Sequence, residues 1–362
     1  MKPRLLLLLL CLPLLCACGS ATLDRQVYPI CLSVDLTEDG GFCVGVQAPR
    51  ASAGSSVSYE LLTATGDDLD AALRTLAAST PYPLNFCQIR LCVFGYRLCA
   101  TTPMRPLLRT LLEKPTMRPS AYVSVALGNA LDVLQYQQPE LGTRLSTHLN
   151  LLLSRSQGEN LLPDSTLAYC VRELADGACD PLVGVCAVNP KLLKQKQDSQ
   201  SGGSGGGSGA QQEDGGSSPA FALGEPWSDA PLPEDILAGL IPHTSQNPVE
   251  YLGSAALSEG RVSGVFTADE TQLLLRVQKE AKLRVARRGE DMQLQILLPK
   301  DSPLARDQDA IRALVAKAQA LRSDPLRFGC VCSMGFYLDE SFERFDFSRK
   351  YPSAPLWVGE EV

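Results

Sequence analysis

Only two histidines occur in the 362 residues, His148 and His243, and no two cysteines form a CxxC pair. Zinc sites draw on imidazoles and closely spaced thiolates, so no metal is expected. HExxH, GxxxxGK[ST] and a GxGxxG following a strand are also missing. That removes the usual motifs for metalloprotease, P-loop and dinucleotide chemistry. Positive charge is not in excess: the formal net charge is −7, and it becomes more negative if Lys2 and Arg4 leave with an export signal. A phosphate backbone finds no electrostatic partner here, and no nucleic acid is expected. Arg284, Arg287 and Arg288 form a small basic cluster that reads as a solvated turn. No apolar run reaches the roughly 18 residues that would span a bilayer.

What is present starts at the N-terminus. Lys2 and Arg4 precede the apolar stretch Leu5 to Leu15, followed by Leu15-Cys16-Ala17-Cys18 and the polar Gly19-Ser20-Ala21-Thr22. A basic start, a short apolar region and a small residue before the cut mark an export signal over residues 1–17. The cysteine after that small residue resembles a bacterial lipobox, which makes Cys18 a lipidated N-terminus. An uncleaved anchor and plain secretion are the alternatives.

Thirteen cysteines invite a disulfide reading. Cys11 and Cys16 leave with the signal, and Cys18 carries lipid. The rest are Cys31, Cys43, Cys87, Cys92, Cys99, Cys170, Cys179, Cys186, Cys330 and Cys332. Export permits bridges, but several of these cysteines lie in apolar patterns where a thiol serves as a small buried hydrophobe. The pairing is not readable from sequence.

Along the chain, Ile30, Leu32, Val34 and Leu36 alternate, as do Phe42, Val44 and Val46, around an Asp39-Gly40 turn. This predicts a β-hairpin. Gly66-Asp67-Asp68 precedes Leu69, Ala72, Leu73 and Leu76, the spacing of a capped helix. Cys87 to Val93 alternates and predicts a strand. Thr102-Pro103 opens a helix whose face is Leu107, Leu108, Leu111 and Leu112, and Ala121 to Leu127 reads as strand. Leu141, Leu145, His148 and Leu152 predict a third helix face; Leu167, Cys170, Val171 and Leu174 predict a fourth.

Residues 191–221 change character, with Ser199 to Ala210 almost wholly glycine and serine. Such sequence buries too little apolar area to order itself and reads as a flexible linker. Residues 222–248 are rich in proline and acid and read as a bridging segment. Beyond them, Arg261 to Phe266 reads as strand, and Thr271 to Lys279 fits either a helix or a strand. Lys282 to Ala286 and Met292 to Leu298 read as paired strands around Arg288-Gly289. Asp307 to Leu321 carries Ile311, Leu314, Val315, Ala318 and Leu321 on one helical stripe, ended before Ser323-Asp324-Pro325. Strands interleaved with helices give an α+β (mixed α/β), multi-domain chain. It has an N-terminal sheet-and-helix domain over 18–190 and a smaller C-terminal domain of strands with a long helix over 249–362.

With those elements placed, the chain resembles the Ger(x)C family, lipoprotein C-subunits of spore nutrient-germinant receptors. Asp24-Arg25 and the strand from Ile30 to Asp35 are similar to the family's start. Gly66 to Leu76 with Ala71 and Ala72 resembles its first helix, and Gln88-Ile89-Arg90 to Gly95 with Leu98 to Ala100 its next strand and helix. Val125, Ala126, Gly128, Ala130, Asp132 and Leu134 fit a third stretch, and Asp180-Pro181 fits the close of the N-terminal domain. In the second half Gly264 and Phe266 match a strand, and Gln319 to Gly329 matches an Ala-Gln, Ser-Asp, Phe-Gly series. The chain departs from the family in a trimmed C-terminal domain, in the Gly/Ser insertion, and in an ending whose candidate tryptophan is Trp357. The resemblance implies a lipid-anchored, non-catalytic receptor subunit on the outer face of the spore inner membrane, with two integral membrane subunits as partners. The alternative is a lipid-anchored solute-binding or cell-envelope binding protein unrelated to spores.

No enzyme site competes with this reading. Gly202-Gly203-Ser204-Gly205-Gly206 satisfies GxSxG, but a nucleophile elbow needs a strand-to-helix turn. His148 reads as a structural side chain on a helix face and His243 as a loop residue. The pairs Asp67-Asp68, Asp339-Glu340 and Glu360-Glu361 read as caps and surface. No cofactor is expected, and Cys18 is the one functional position named.

Overall fold

The computed structural model describes residues 25–50, 58–137, 143–188, 248–288, 291–336 and 347–360. Cys18, His243 and the segments 191–221 and 222–247 lie outside the described residues. The first strands are β1 (Cys31–Leu36), β2 (Phe42–Arg50) and β3 (Ser58–Gly66). They form an antiparallel meander, with Val34 opposite Val44 and Val46 opposite Leu62. The β1–β2 turn holds Gly40 at φ +85°, backbone that favours glycine. Next comes α1 (Leu69–Ser79), capped by the Asp68 carboxylate, which accepts from the Ala71 amide at 2.7 Å. Leu69, Ala72, Leu73 and Leu76 are its buried face, as their spacing predicts.

The strands β4 (Leu91–Gly95), β5 (Tyr122–Ala126) and β6 (Leu182–Val188) add to β1 in parallel. Helices α2 (Tyr96–Thr101) and α3 (Met104–Leu112) connect β4 to β5. Helices α4 (Ala130–Tyr136), α5 (Leu145–Gly158) and α6 (Leu167–Asp176) connect β5 to β6. Two antiparallel strands, β7 (Val249–Ser258) and β8 (Arg261–Phe266), extend the sheet past β6. The eight strands run in the order β3-β2-β1-β4-β5-β6-β7-β8.

Both faces of the parallel centre are covered, so its strands are apolar runs. Cys92 and Phe94 pack toward α1, α2, α3 and α6, while Leu91 and Val93 pack toward α4 and α5. This corrects the strand predicted from Cys87. The alternation there is accidental, since Phe86–Gln88 is a 3-10 turn started by the Asn85 side chain, which accepts from the Cys87 amide at 3.1 Å. The third helix is also rotated from its predicted stripe. Leu145, Leu149 and Leu153 are buried, while His148 and Leu152 sit half-buried at the edge.

The C-terminal part builds a second core. Helix α7 (Ala268–Glu280) is followed by β9 (Lys282–Arg288), β10 (Asp291–Leu298), α8 (Gln308–Ala320), α9 (Phe328–Phe336), α10 (Phe347–Lys350) and β11 (Leu356–Glu360). The sheet order is β11-β10-β9, with β10 antiparallel to β9 and parallel to β11. Met292, Leu294, Ile296 and Leu298 face Ile311, Leu314, Val315 and Ala318 of α8 across this core. Leu182, Ala256 and Phe266 of the large sheet join it as well. Thr271 to Lys279 is helix, set by a capping box. Thr267 Oγ1 accepts from the Glu270 amide at 3.3 Å, and Glu270 Oε2 accepts from the Thr267 amide at 2.8 Å. The basic cluster Arg284, Arg287 and Arg288 lies on β9 rather than in a turn. Among the described residues no helix is long and apolar enough to cross a membrane.

Candidate functional site

Sequence segments far apart meet at two buried carboxyls. Asp35 ends the run of β1, only 2% exposed. Its Oδ1 accepts from the Ala130 amide at 2.7 Å and its Oδ2 from the Leu131 amide at 2.8 Å. The carboxyl therefore caps α4, which follows β5, from another strand. Gly95 at the end of β4 makes room: a Cβ there would stand 2.2 Å from Asp35 Oδ1. Gly128, at φ +128°, lets its carbonyl accept from the Tyr96 amide at 3.2 Å. Burial lifts the Asp35 carboxyl to about 7 despite the two backbone donors, and Asp132 nearby adds to the rise. With both oxygens used by backbone amides, this group acts as a clasp for three strand ends.

The second meeting point joins the large sheet to the C-terminal core. Asp180 Oδ2 accepts from Ser323 Oγ at 3.0 Å and from the Asp324 amide at 2.7 Å. Asp324 in turn accepts from the Phe328 amide at 3.0 Å and the Gly329 amide at 2.6 Å, holding the start of α9. Gly329 sits against the preceding segment so closely that a Cβ would lie 1.8 Å from the Ala178 carbonyl oxygen. Gln319 donates to the carbonyls of Tyr351 at 2.8 Å and Ala354 at 2.9 Å, fixing the approach to β11. Burial raises Asp324 to about 7, with the Asp180 charge adding to the rise, and burial also raises Asp180, with the Glu259 charge adding to it.

Beside this joint lies a polar cluster and an open cleft of about 400 Å³ lined in part by Tyr169, Asp180, Lys279 and Arg327. Arg327 Nη2 donates to Glu173 Oε2 at 2.8 Å, and Arg327 Nη1 lies 3.5 Å from Tyr169 Oη. Cys179 Sγ donates to Glu173 Oε2 at 3.3 Å, and the Sγ atoms of Cys179 and Cys330 are 2.9 Å apart. Ligand atoms of Glu173, Cys179 and Cys330 fall within 4.8 Å of one another, the spacing of a metal site. The Arg327 guanidinium stands among them, however, 3.8 Å from Cys330 Sγ, and its charge opposes a cation.

The residues that assemble these features all precede 189 or follow 248. Residues 19–188 match the family described as spore germination protein N-terminal domain. That span is a spore germination N-terminal domain. The match bears out the Ger(x)C resemblance read from the sequence. A solved structure titled "Crystal Structure of the GerBC protein" aligns over 91% of this chain and 95% of that one, at 12% identity and a TM-score of 0.44. No curated protein matches the chain.

Several motif positions of the germination domain acquire a physical reason from the geometry. Asp35 near the end of β1, Gly95 at the end of β4 and the Gly128-Ala130 stretch converge on one clasp. Asp180 of the domain's closing Asp-Pro meets the Ser323-Asp324 pair of the second half. Of the residues weighed for chemistry, Asp68 is a helix cap, as expected, and His148 lies on α5. Ser204, Asp339, Glu340 and Glu361 lie outside the described residues. Reading the sequence missed the Glu173, Cys179, Arg327 and Cys330 cluster. A signal was present, since Cys179 directly precedes Asp180 and Cys330 directly follows Gly329.

Proposed function

We propose that this chain is the lipid-anchored, non-catalytic subunit of a spore nutrient-germinant receptor, held by Cys18 at the outer face of the spore inner membrane. It works there with two integral membrane subunits and is needed to couple the nutrient signal to germination. The observation that carries this reading is the family match over residues 19–188, which begins directly after the lipobox cysteine. Two further points support it. The buried carboxyls Asp35 and Asp324 each use both oxygens to accept from backbone amides, a structural role. Among the described residues no helix is long and apolar enough to cross a membrane, and attachment through Cys18 rests on acyl chains. These contribute about 0.8 kcal/mol per buried methylene, and more than one chain gives stable anchoring.

The test is genetic and biochemical. Deleting the gene in the spore-forming host should abolish germination triggered by the cognate nutrient, and restoring it should rescue the response. Cys18→Ala should leave the protein folded but move it from the membrane to the soluble fraction. Normal nutrient germination in the deletion strain overturns the receptor reading. A Cys18→Ala protein that stays membrane-bound overturns the lipid anchor alone.

A further inference from the structure

We propose that Cys179 and Cys330 form a reversible disulfide that ties the germination domain to the C-terminal core, with low-molecular-weight disulfides as the oxidant. The geometry carries the argument. The two sulfurs are 2.9 Å apart across 151 residues of sequence. A shift of about an ångström brings them to the ~2.05 Å of an S–S bond. Their positions are fixed on both sides by the buried joint. Cys179 precedes Asp180, and Cys330 follows Gly329, whose close approach to Ala178 sets how far the two segments stand apart.

The surroundings divide the labour between the sulfurs. Cys330 is partly exposed, while Cys179 is buried. Arg327 lines the open cleft and lies 3.8 Å from Cys330 Sγ, so a positive charge faces the accessible sulfur. The Cys179 thiol and the Arg327 guanidinium together push Cys330 below the ordinary thiol range, against its burial and the Glu173 charge. Contact with Cys330 and burial push Cys179 the other way. A thiolate next to a cation, with a second thiol in reach, is the arrangement of an attacking and a resolving cysteine.

The chemistry balances in two exchanges. The Cys330 thiolate attacks one sulfur of a small disulfide RSSR, forming a mixed disulfide and releasing RS⁻, which takes up a proton. Cys179 passes its proton to Glu173 or solvent and attacks the Cys330 sulfur, forming the internal S–S bond and releasing the second RS⁻. Two protein thiols are oxidised, and RSSR is reduced to two RSH. The same arrangement argues against a metal ion at this place, because Arg327 already occupies the cation's side of Glu173 and Cys330.

The mature chain, purified reduced, is equilibrated with glutathione disulfide near neutral pH and mapped by mass spectrometry of non-reduced peptides. The expected product is a linkage between the peptides holding Cys179 and Cys330, lost on adding dithiothreitol. It should be accompanied by an upward shift in the urea midpoint of the oxidised protein. Cys179→Ser should trap glutathione on Cys330, and Arg327→Gln should slow that capture several-fold. Absence of the 179–330 linkage in the wild-type map overturns the proposal without recourse to any variant. So does stoichiometric zinc retained by the protein with both thiols unreactive.

Discussion

Asp35 and Asp324 are carboxyls with an ordinary value of 3.8, and burial lifts each to about 7. The unfolded chain releases both protons well below the pH at which the folded chain does. Between those values the folded state holds more protons than the unfolded state, so stability falls as pH rises. The full contribution is present below about pH 4, declines through about pH 7 and is level beyond. At 1.36 kcal/mol per pH unit, moving from pH 5 to pH 8 costs on the order of 2–3 kcal/mol for each carboxyl. Asp180 and Asp132 are raised as well and add in the same direction. Asp70, held low by Lys114, and Asp39, held low by the Thr37 hydroxyl, oppose it from exposed positions where screening weakens them. The measurement is urea unfolding at both pH values in wild type, Asp35→Asn and Asp324→Asn. Each variant loses an acceptor at every pH, because its amide turns an NH₂ toward a backbone donor. Its pH 5 to pH 8 difference should nevertheless shrink by roughly 2–3 kcal/mol. If both variants keep the wild-type difference, burial of these carboxyls does not set the pH response.

Gly329→Ala should cost about 3 kcal/mol or more in urea unfolding, because its Cβ meets backbone 1.8 Å away and either α9 or the Ala178 segment must move. Thr267→Ala should remove the capping box of α7 and lower stability by about 1 kcal/mol, seen as a lower urea midpoint with unchanged slope.

Much of the architecture was legible because local patterns match their environments. The hairpin around Asp39-Gly40, the Asp68-capped helix and the Ile311 to Ala318 stripe all follow from side chains that meet one core on one face. Reading failed where a segment is buried on two sides or decided by tertiary contact. β4 is covered on both faces, so period two carries no information there and does not separate the 3-10 turn at Phe86–Gln88 from the strand. α5 was placed on a stripe one step away from its core, because Leu149, Leu152 and Leu153 offer two overlapping faces and only α5's docking chooses between them. Thr271 to Lys279 was decidable, since Thr267 and Glu270 spell a capping box just upstream. The polar cluster had only the indirect signal that Cys179 and Cys330 flank Asp180 and Gly329. Glu173 lies on the apolar side of α6, and its partners Arg327 and Cys330 come from sequence more than 150 residues later.

The pairing of β6 with β7 bears on the order of events during synthesis. Val188 pairs with Val249 in register, and β8 then takes the outer edge. When a ribosome has released residue 188, every parallel strand is available, but β6 is still an open border. Such borders invite pairing with other chains. The border closes only after residues up to about 266 have emerged. For that interval the nascent germination domain is exposed to misassembly with its neighbours, so export or a chaperone that delays β6 pairing would protect it.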